Sequence, residues 1–231
     1  MSKSIIKAVL FVLSAGMMLL VLYLIFFWVP TERNLGISQR IFYYHVPMAW
    51  VGFLAFFFVL IGSVGYLWKR SEIWDQLAHS AAEIGVLFTT LMLTTGVLWA
   101  KPVWGVWWTW DPRLTTSLIL WLIYVAYLML RAYAPAGEQR ARFASVLGIV
   151  GFIDVPIVYL SIVWWRTVHP QVLVGPVAQS TDLDPAMRSL LMISTLAFTL
   201  LFGYLLWERV SIRSYEDKLD RLKGKFESPL R

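Results

Sequence analysis

Six long apolar runs are the feature that most restricts how this chain of 231 residues can fold. Each run holds roughly 20 mostly apolar residues, the length that a helix needs to cross the hydrocarbon core of a bilayer. Backbone amides find no water there, so each run must satisfy its hydrogen bonds within a helix. The runs predict an all-α integral membrane protein with six transmembrane helices, over residues 5–29, 46–68, 77–100, 114–130, 143–165 and 189–207.

The basic residues predict the orientation of these helices. Cytoplasmic loops of membrane proteins carry an excess of lysine and arginine. With the N-terminus inside, 14 of the 20 lysines and arginines fall on the cytoplasmic side. We therefore expect both termini in the cytoplasm, residues 1–210 as the transmembrane domain and residues 211–231 as a charged, solvated tail. The first run is longer than a cleaved leader requires and is expected to stay as a helix.

The segment between the third and fourth runs is unusually rich in tryptophan. Trp104, Trp107, Trp108 and Trp110 fall close together and are followed by Asp111. One or two tryptophans are ordinary anchors at a membrane interface, whereas four form a larger surface than anchoring needs. The helical spacing of three of them with Asp111 predicts a short helix with one aromatic face. A flat, mostly apolar ligand with a charged edge suits such a face, and haem is the leading candidate.

Two of the three histidines fall on the same predicted side as the tryptophans. His45 lies at the outer entrance to the second helix, and His169 lies just beyond the outer end of the fifth. Neutral imidazole is a common axial ligand of haem iron, so two of them could hold a porphyrin from opposite faces. Alternatively, each is a polar interfacial residue. His79 opens the third helix about a membrane thickness away and is expected to be structural.

The chain contains no cysteine, so haem would be held without covalent bonds to the protein, as haem b. Its two propionates require cations, and arginine can bind a carboxylate in a bidentate manner. Lipid phosphates and nearby aspartates are equally good partners for any one of these cations. The outer candidates for propionate contact are Lys101, Arg113, Arg166 and Arg188.

Two carboxylates and two prolines fall within the predicted spans. Asp154 and Glu83 are of interest because intramembrane carboxylates are often functional. A packing role explains Asp154 equally well, and Glu83 is near enough to the end of its span to reach the interface. Pro156 predicts a kink in the fifth span, and Pro47 suits the first turn of the second.

Residues 100–115, AKPVWGVWWTWDPRLT, resemble the tryptophan-rich "WWD" segment of haem-handling membrane proteins. Within that group, the six spans and the short chain are similar to the haem exporter protein C (CcmC) family of cytochrome c maturation. The similarity extends from the second span to the start of the sixth. Its other motifs are Tyr44-His45-Val46-Pro47, Val155-Pro156-Ile157, Trp164-Trp165 followed by His169, and the run from Asp184 to Ser189.

The resemblance implies a haem-binding protein that is not an enzyme, in the bacterial inner membrane with its haem site facing the periplasm. His45 and His169 inherit the role of axial ligands, and the tryptophan segment with Asp111 inherits that of the haem platform. The implied partners are a periplasmic haem chaperone (CcmE-like), which receives haem for c-type cytochrome assembly, the ATPase and membrane subunits of a haem-delivery complex (CcmA/CcmB-like), and a small single-span subunit (CcmD-like). No nucleic-acid partner is expected. The chain departs from the family pattern at three positions, Pro112, Asp154 and Pro170, where alanine, asparagine and glutamine are usual.

Three other functions remain compatible with the residues. A b-type membrane redox protein usually buries histidine pairs within its helices, and no predicted span offers such a pair. A transporter of haem or another solute would need an outside source of energy, because the chain has no P-loop motif. A structural subunit without a ligand is the third.

Overall fold

Helices make up nearly all of the computed structural model, which describes residues 3–135, 137–165, 167–169 and 183–227. Six helical segments in this part of the chain are long and apolar enough to cross a membrane, and each overlaps one predicted span. The prediction of a six-helix, all-α membrane fold is therefore confirmed. The segments are Ser4–Trp28, Ile37–Lys69, Glu72–Trp104, Pro112–Tyr133, Glu138–Trp164 and Pro185–Leu219.

Seven α-helices build the described ranges, because the fifth span is divided in two. A π-helical turn, Leu24–Trp28, continues the first helix, and a 3-10 turn, Ile37–Ile41, precedes the second. The α-helices are α1 (Lys3–Tyr23), α2 (Phe42–Lys69), α3 (Glu72–Trp104), α4 (Pro112–Tyr133), α5 (Glu138–Phe152), α6 (Asp154–Trp164) and α7 (Pro185–Glu227).

Aromatic packing fills the centre of the bundle, where α2 lies along α3 and a ring of α2 meets a ring of α4. The rings of Phe56 and Tyr124 stack with centroids 3.7 Å apart. Gly85 permits this arrangement, because a Cβ at that position would lie 2.5 Å from the Phe56 ring. This packed centre separates two ends of the bundle. We call them the tryptophan end, where α3 ends and α4 begins, and the Glu83 end, where α2 ends and α3 begins.

The segment between α3 and α4 is not helical, so the predicted short aromatic helix is wrong. α3 stops at Trp104, and Gly105 has a φ of +76°, the left-handed conformation that commonly ends helices. α4 begins only at Pro112, with Asp111 as its N-cap. A residue before proline is disfavoured in the helical region. The sequence between these two signals is therefore held outside any helix.

The two prolines behave differently from each other. The predicted kink at Pro156 is confirmed, since α5 ends at Phe152 and α6 begins at Asp154. Proline has no N–H to donate to the carbonyl four residues earlier, which here belongs to Phe152. Pro47 lies inside α2 instead of in its first turn, because α2 begins earlier than its apolar run, at Phe42.

Ion pairs attach the second half of α7 to the Glu83 end. The Glu83 carboxylate accepts hydrogen bonds from Arg209 and from Arg213, the latter at 2.8 Å. His79 Nε2 lies 3.2 Å from Arg213 Nη2 and so belongs to the same cluster. Glu83 is thus held in ion pairs at this end of the bundle. α7 is one continuous helix, so the predicted boundary at residue 210 lies within it.

Candidate functional site

A cavity at the tryptophan end brings together residues from distant parts of the chain. The space between its walls is about 560 Å³, part of it open to solvent. α2, α3 and α4 form its walls, and parts of the two adjoining loops complete it. Its aromatic and polar lining residues are His45, Phe53, Trp99, Trp104, Trp108, Arg113, Ser117 and His169.

His45 projects from the first turn of α2 towards α3. Its Nδ1 lies 3.1 Å from Thr95 Oγ1. Gly96 leaves space for the imidazole, because a Cβ at that position would lie 3.0 Å from His45 Cε1. Since Nδ1 is engaged by Thr95, Nε2 is the ring nitrogen that remains for a ligand.

His169 lines the same cavity from the loop that follows α6. Its ring is half-buried and meets the ring of Trp104 edge-on, with centroids 6.2 Å apart and planes at 63°. Its backbone N–H donates to Thr167 Oγ1 at 3.0 Å. The two histidines that the sequence singled out therefore line one cavity.

The four tryptophans divide into two pairs. Trp104 and Trp108 are half-buried and line the cavity. Trp107 and Trp110 are 54% and 75% exposed and lie outside it. Trp99, from the last turns of α3, joins the first pair, and its ring meets that of Trp104 edge-on at 5.7 Å. The aromatic wall is therefore made by Trp99, Trp104 and Trp108, and the other pair is left for contacts outside the cavity.

Asp111 is buried beside the cavity and connects two segments that border it, the start of α4 and the segment that carries His169. Its Oδ1 accepts from the Arg113 backbone N–H at 3.0 Å, which caps α4. Its Oδ2 accepts from the Val168 backbone N–H, also at 3.0 Å. Both oxygens of Asp111 are thus occupied by the protein itself. The arrangement positions the His169 segment against the start of α4.

The cations predicted to meet propionates are distributed unequally. Arg113 lines the cavity, and its Nη1 is buried with no hydrogen-bond partner among the described residues. Lys101 lies outside it, donates to the Gly105 carbonyl at 2.9 Å and lies over the Trp107 ring. Arg188 is exposed on α7 and is not part of the lining. Arg166 lies outside the described residues.

Five polar, aromatic or glycine residues of this site were not predicted from the sequence: Phe53, Gly96, Trp99 and Ser117, which line the cavity, and Thr95, which contacts His45. Each lies within a predicted apolar span. The visible signal was the polar and small group Thr94-Thr95-Gly96 in an otherwise apolar stretch. Asp154, which did draw attention, lies at the break between α5 and α6 and does not line the cavity. Its Oδ2 is buried without a partner in the described part of the chain.

Comparison with known proteins points to one family. The model of the family described as Heme exporter protein C matches residues 1–223. Relatives of that name include one from Bradyrhizobium diazoefficiens, 39% identical over 173 residues, and one from Escherichia coli K12, 36% identical over 178 residues. These alignments cover 75% and 76% of this chain, and 65% and 70% of the relatives. This chain therefore matches slightly less than two thirds of the length of the Bradyrhizobium diazoefficiens protein. A ccmC-like mitochondrial protein of cytochrome c biosynthesis from Marchantia polymorpha is 33% identical over 194 residues, 84% of this chain and 82% of that protein.

Proposed function

Because the chain belongs to the heme exporter protein C family, we propose that it binds haem b non-covalently in the cavity at the tryptophan end and presents it to another protein. The observation that carries this proposal is the convergence of His45 and His169, far apart in sequence, on one cavity. The function is haem delivery for c-type cytochrome assembly, with no catalytic residue.

The chemistry of the lining fits haem. His45 Nε2 and the His169 ring would hold the iron, because neutral imidazole nitrogens bind haem iron. Trp99, Trp104 and Trp108 supply apolar aromatic surface for the macrocycle. Arg113 fits a propionate, because its buried Nη1 lacks a partner in the described structure and a carboxylate oxygen would satisfy it.

The proposed setting is a multi-pass protein of the bacterial inner membrane with the cavity facing the periplasm. The excess of basic residues at the Glu83 end supports this orientation, because positive charge accumulates on the cytoplasmic side. Both termini and the charged tail, residues 211–231, then lie in the cytoplasm. The transmembrane haem-handling domain comprises residues 1–210.

The exposed tryptophans support transfer to a periplasmic haem chaperone. Trp107 and Trp110 are large, apolar and exposed next to the cavity. Trp110 also lines a shallow surface depression of about 750 Å³ with Asp111, Thr167 and Val168. Tryptophan is enriched at protein interfaces that bind strongly. We assign this surface to chaperone contact, and we retain the ATPase, membrane and single-span subunits of the complex as proposed partners on the basis of the family.

The packed centre of the bundle supports a role in presenting haem at one end, and not in passing haem through this chain. A second, polar cavity of about 810 Å³ lies at the Glu83 end, lined by His79, Glu83 and several arginines and aspartates. Phe56, Phe88 and Tyr124 lie between the two cavities and are almost completely buried. Haem is therefore proposed to enter and leave at the tryptophan end.

A haem titration of the full chain in nanodiscs, with absorption in the Soret region, tests the proposal. We expect His45→Ala and His169→Ala each to weaken haem binding sharply and to change the Soret maximum. His79→Ala is the matched control, since it removes the third imidazole at the opposite end and should retain the wild-type spectrum. Equal haem binding by the folded His45→Ala, His169→Ala double variant and the wild type would overturn the proposal.

A further inference from the structure

The hydroxyl of Thr95 has more partners than it has hydrogens. Its Oγ1 lies 2.8 Å from the Leu91 carbonyl oxygen, 3.1 Å from that of Met92 and 3.1 Å from His45 Nδ1. A threonine hydroxyl has one hydrogen to donate and two lone pairs that accept. Both backbone partners can only accept. If the hydrogen stays with the backbone, His45 Nδ1 must be the donor.

Other threonines of α3 support this assignment of hydrogens. Thr89, Thr90 and Thr94 each donate to the carbonyl four residues earlier, at 2.7–2.8 Å. Thr90 also accepts from Trp121 Nε1 at 2.8 Å. An indole nitrogen can only donate. Thr90 therefore donates to its own helix and accepts from a ring N–H.

A second threonine–tryptophan pair, on α7, repeats the arrangement. Thr199 Oγ1 lies 2.7 Å from the Thr195 carbonyl oxygen and 3.1 Å from Trp50 Nε1. Here too the ring nitrogen is an obligatory donor. Thr95 has the same helical bond and the same distance to a ring nitrogen. The difference is that His45, unlike tryptophan, has a choice of tautomer.

We propose that Thr95 is a positioning residue for His45, which accepts the Nδ1 hydrogen and so leaves Nε2 unprotonated to bind haem iron. The haem part of this inference rests on the proposed function. Gly96 contributes to the same positioning, because its missing side chain lets the imidazole of His45 lie against α3. A hydrogen bond to the second nitrogen fixes the orientation of a ligating histidine and increases its basicity.

The inference has a spectroscopic test that needs no haem. The chain has only three histidines, so ¹⁵N-histidine NMR of the haem-free full chain in nanodiscs can resolve each ring, with assignments from His79→Ala and His169→Ala. At about pH 8, above the usual histidine pKa, we expect His45 to carry its hydrogen on Nδ1. Thr95→Ser should keep this form because it keeps the hydroxyl. Thr95→Val should allow the Nε2-protonated form to appear.

Thr94→Val is the matched control. Thr94 makes the same bond to its own helix, with Thr90, but is exposed and does not contact His45. Its substitution should leave the His45 signals unchanged. An Nε2-protonated His45 in the wild type, or a His45 spectrum unaffected by Thr95→Val, would overturn the inference.

Haem binding then separates this inference from the proposed function. We expect Thr95→Val to weaken haem binding by roughly 10- to 100-fold and to raise the reduction potential of the bound haem, because a less basic imidazole stabilises ferric iron less. Thr95→Ser should restore both values. If the tautomer responds as expected but His45→Ala binds haem normally, the proposed function fails while the hydrogen bond stands. If His45→Ala loses haem but Thr95→Val matches the wild type in affinity and potential, the positioning role fails alone.

Discussion

Asp111 Oδ2 accepts a hydrogen bond from the Val168 backbone N–H, which joins the start of α4 to the segment that carries His169. The other oxygen of the same carboxylate caps α4 through the Arg113 N–H. A single buried side chain therefore determines how two borders of the cavity meet. Asp111 therefore contributes to the cavity by positioning the start of α4 and the segment that carries His169.

Asp111→Asn should weaken haem binding without unfolding the protein. The amide offers one oxygen in place of two, and its NH₂ group cannot accept from either backbone N–H. One bond is therefore lost, with a cost of about 0.5–2 kcal/mol in helix capping if it is the Arg113 contact. Haem titration together with thermal unfolding of the haem-free chain separates the two effects. Asp184→Asn is the control, since Asp184 also precedes a proline and caps a helix, and it should leave haem affinity unchanged.

Arg113→Gln should lower haem affinity by roughly 10- to 100-fold, the loss expected for one hydrogen bond between charged partners. Titration with haem dimethyl ester provides the decisive comparison, because the ester lacks the negative charges of the propionates. The wild type and Arg113→Gln should bind the ester alike. Lys101→Gln, outside the cavity, should behave as the wild type with both ligands. A larger loss of haem affinity in Lys101→Gln than in Arg113→Gln would show that Lys101, and not Arg113, contacts the propionate.

Gly96→Ala should displace the His45 imidazole, because the new Cβ would lie 3.0 Å from Cε1. The tilt of an axial ligand alters its overlap with the iron, so we expect a broadened or shifted Soret band and weaker binding. Gly203→Ala is the matched substitution in α7, where a Cβ would meet nothing within 4 Å. An unchanged Soret band in Gly96→Ala would show that α3 does not restrain the ring.

Glu83→Gln should lower the free energy of unfolding by about 1–3 kcal/mol, since two arginines lose their charged acceptor. Haem affinity should change little, because the cluster lies at the opposite end from the cavity. Thermal unfolding in detergent measures the first effect, and Soret titration measures the second. Glu138→Gln removes an exposed pair with Arg70 at 3.5 Å and should cost less than about 0.5 kcal/mol.

The helices were predictable because the membrane leaves the backbone few options. All six apolar runs became helices, and Pro156 divided α5 from α6 at the expected place. The tryptophan segment was less predictable, since its helical spacing competed with a glycine stop at Gly105 and the Asp111-Pro112 start. The local termination signals outweighed the periodicity.

The site was predictable from rare residue types and not from its geometry. His45, His169 and Arg113 were visible because few histidines or charges occur near the predicted outer ends of the helices. Thr95 was invisible, because threonines on α3 mostly bond their own helix and only a three-dimensional contact distinguishes this one. Asp111 was expected on the platform, but a sequence cannot show that its acceptors are directed at Arg113 and Val168.

α3 extends unbroken from Glu72 to Trp104, about 50 Å at 1.5 Å per residue. It carries Glu83 about a third of the way along, and Thr95 follows 12 residues later, about 18 Å further along the axis. One helix therefore carries both a member of the arginine cluster and the residues that contact His45. A rotation or axial shift of this helix moves both at once. The small effect that we expect of Glu83→Gln on haem affinity therefore requires α3 to keep its position when these ion pairs are lost.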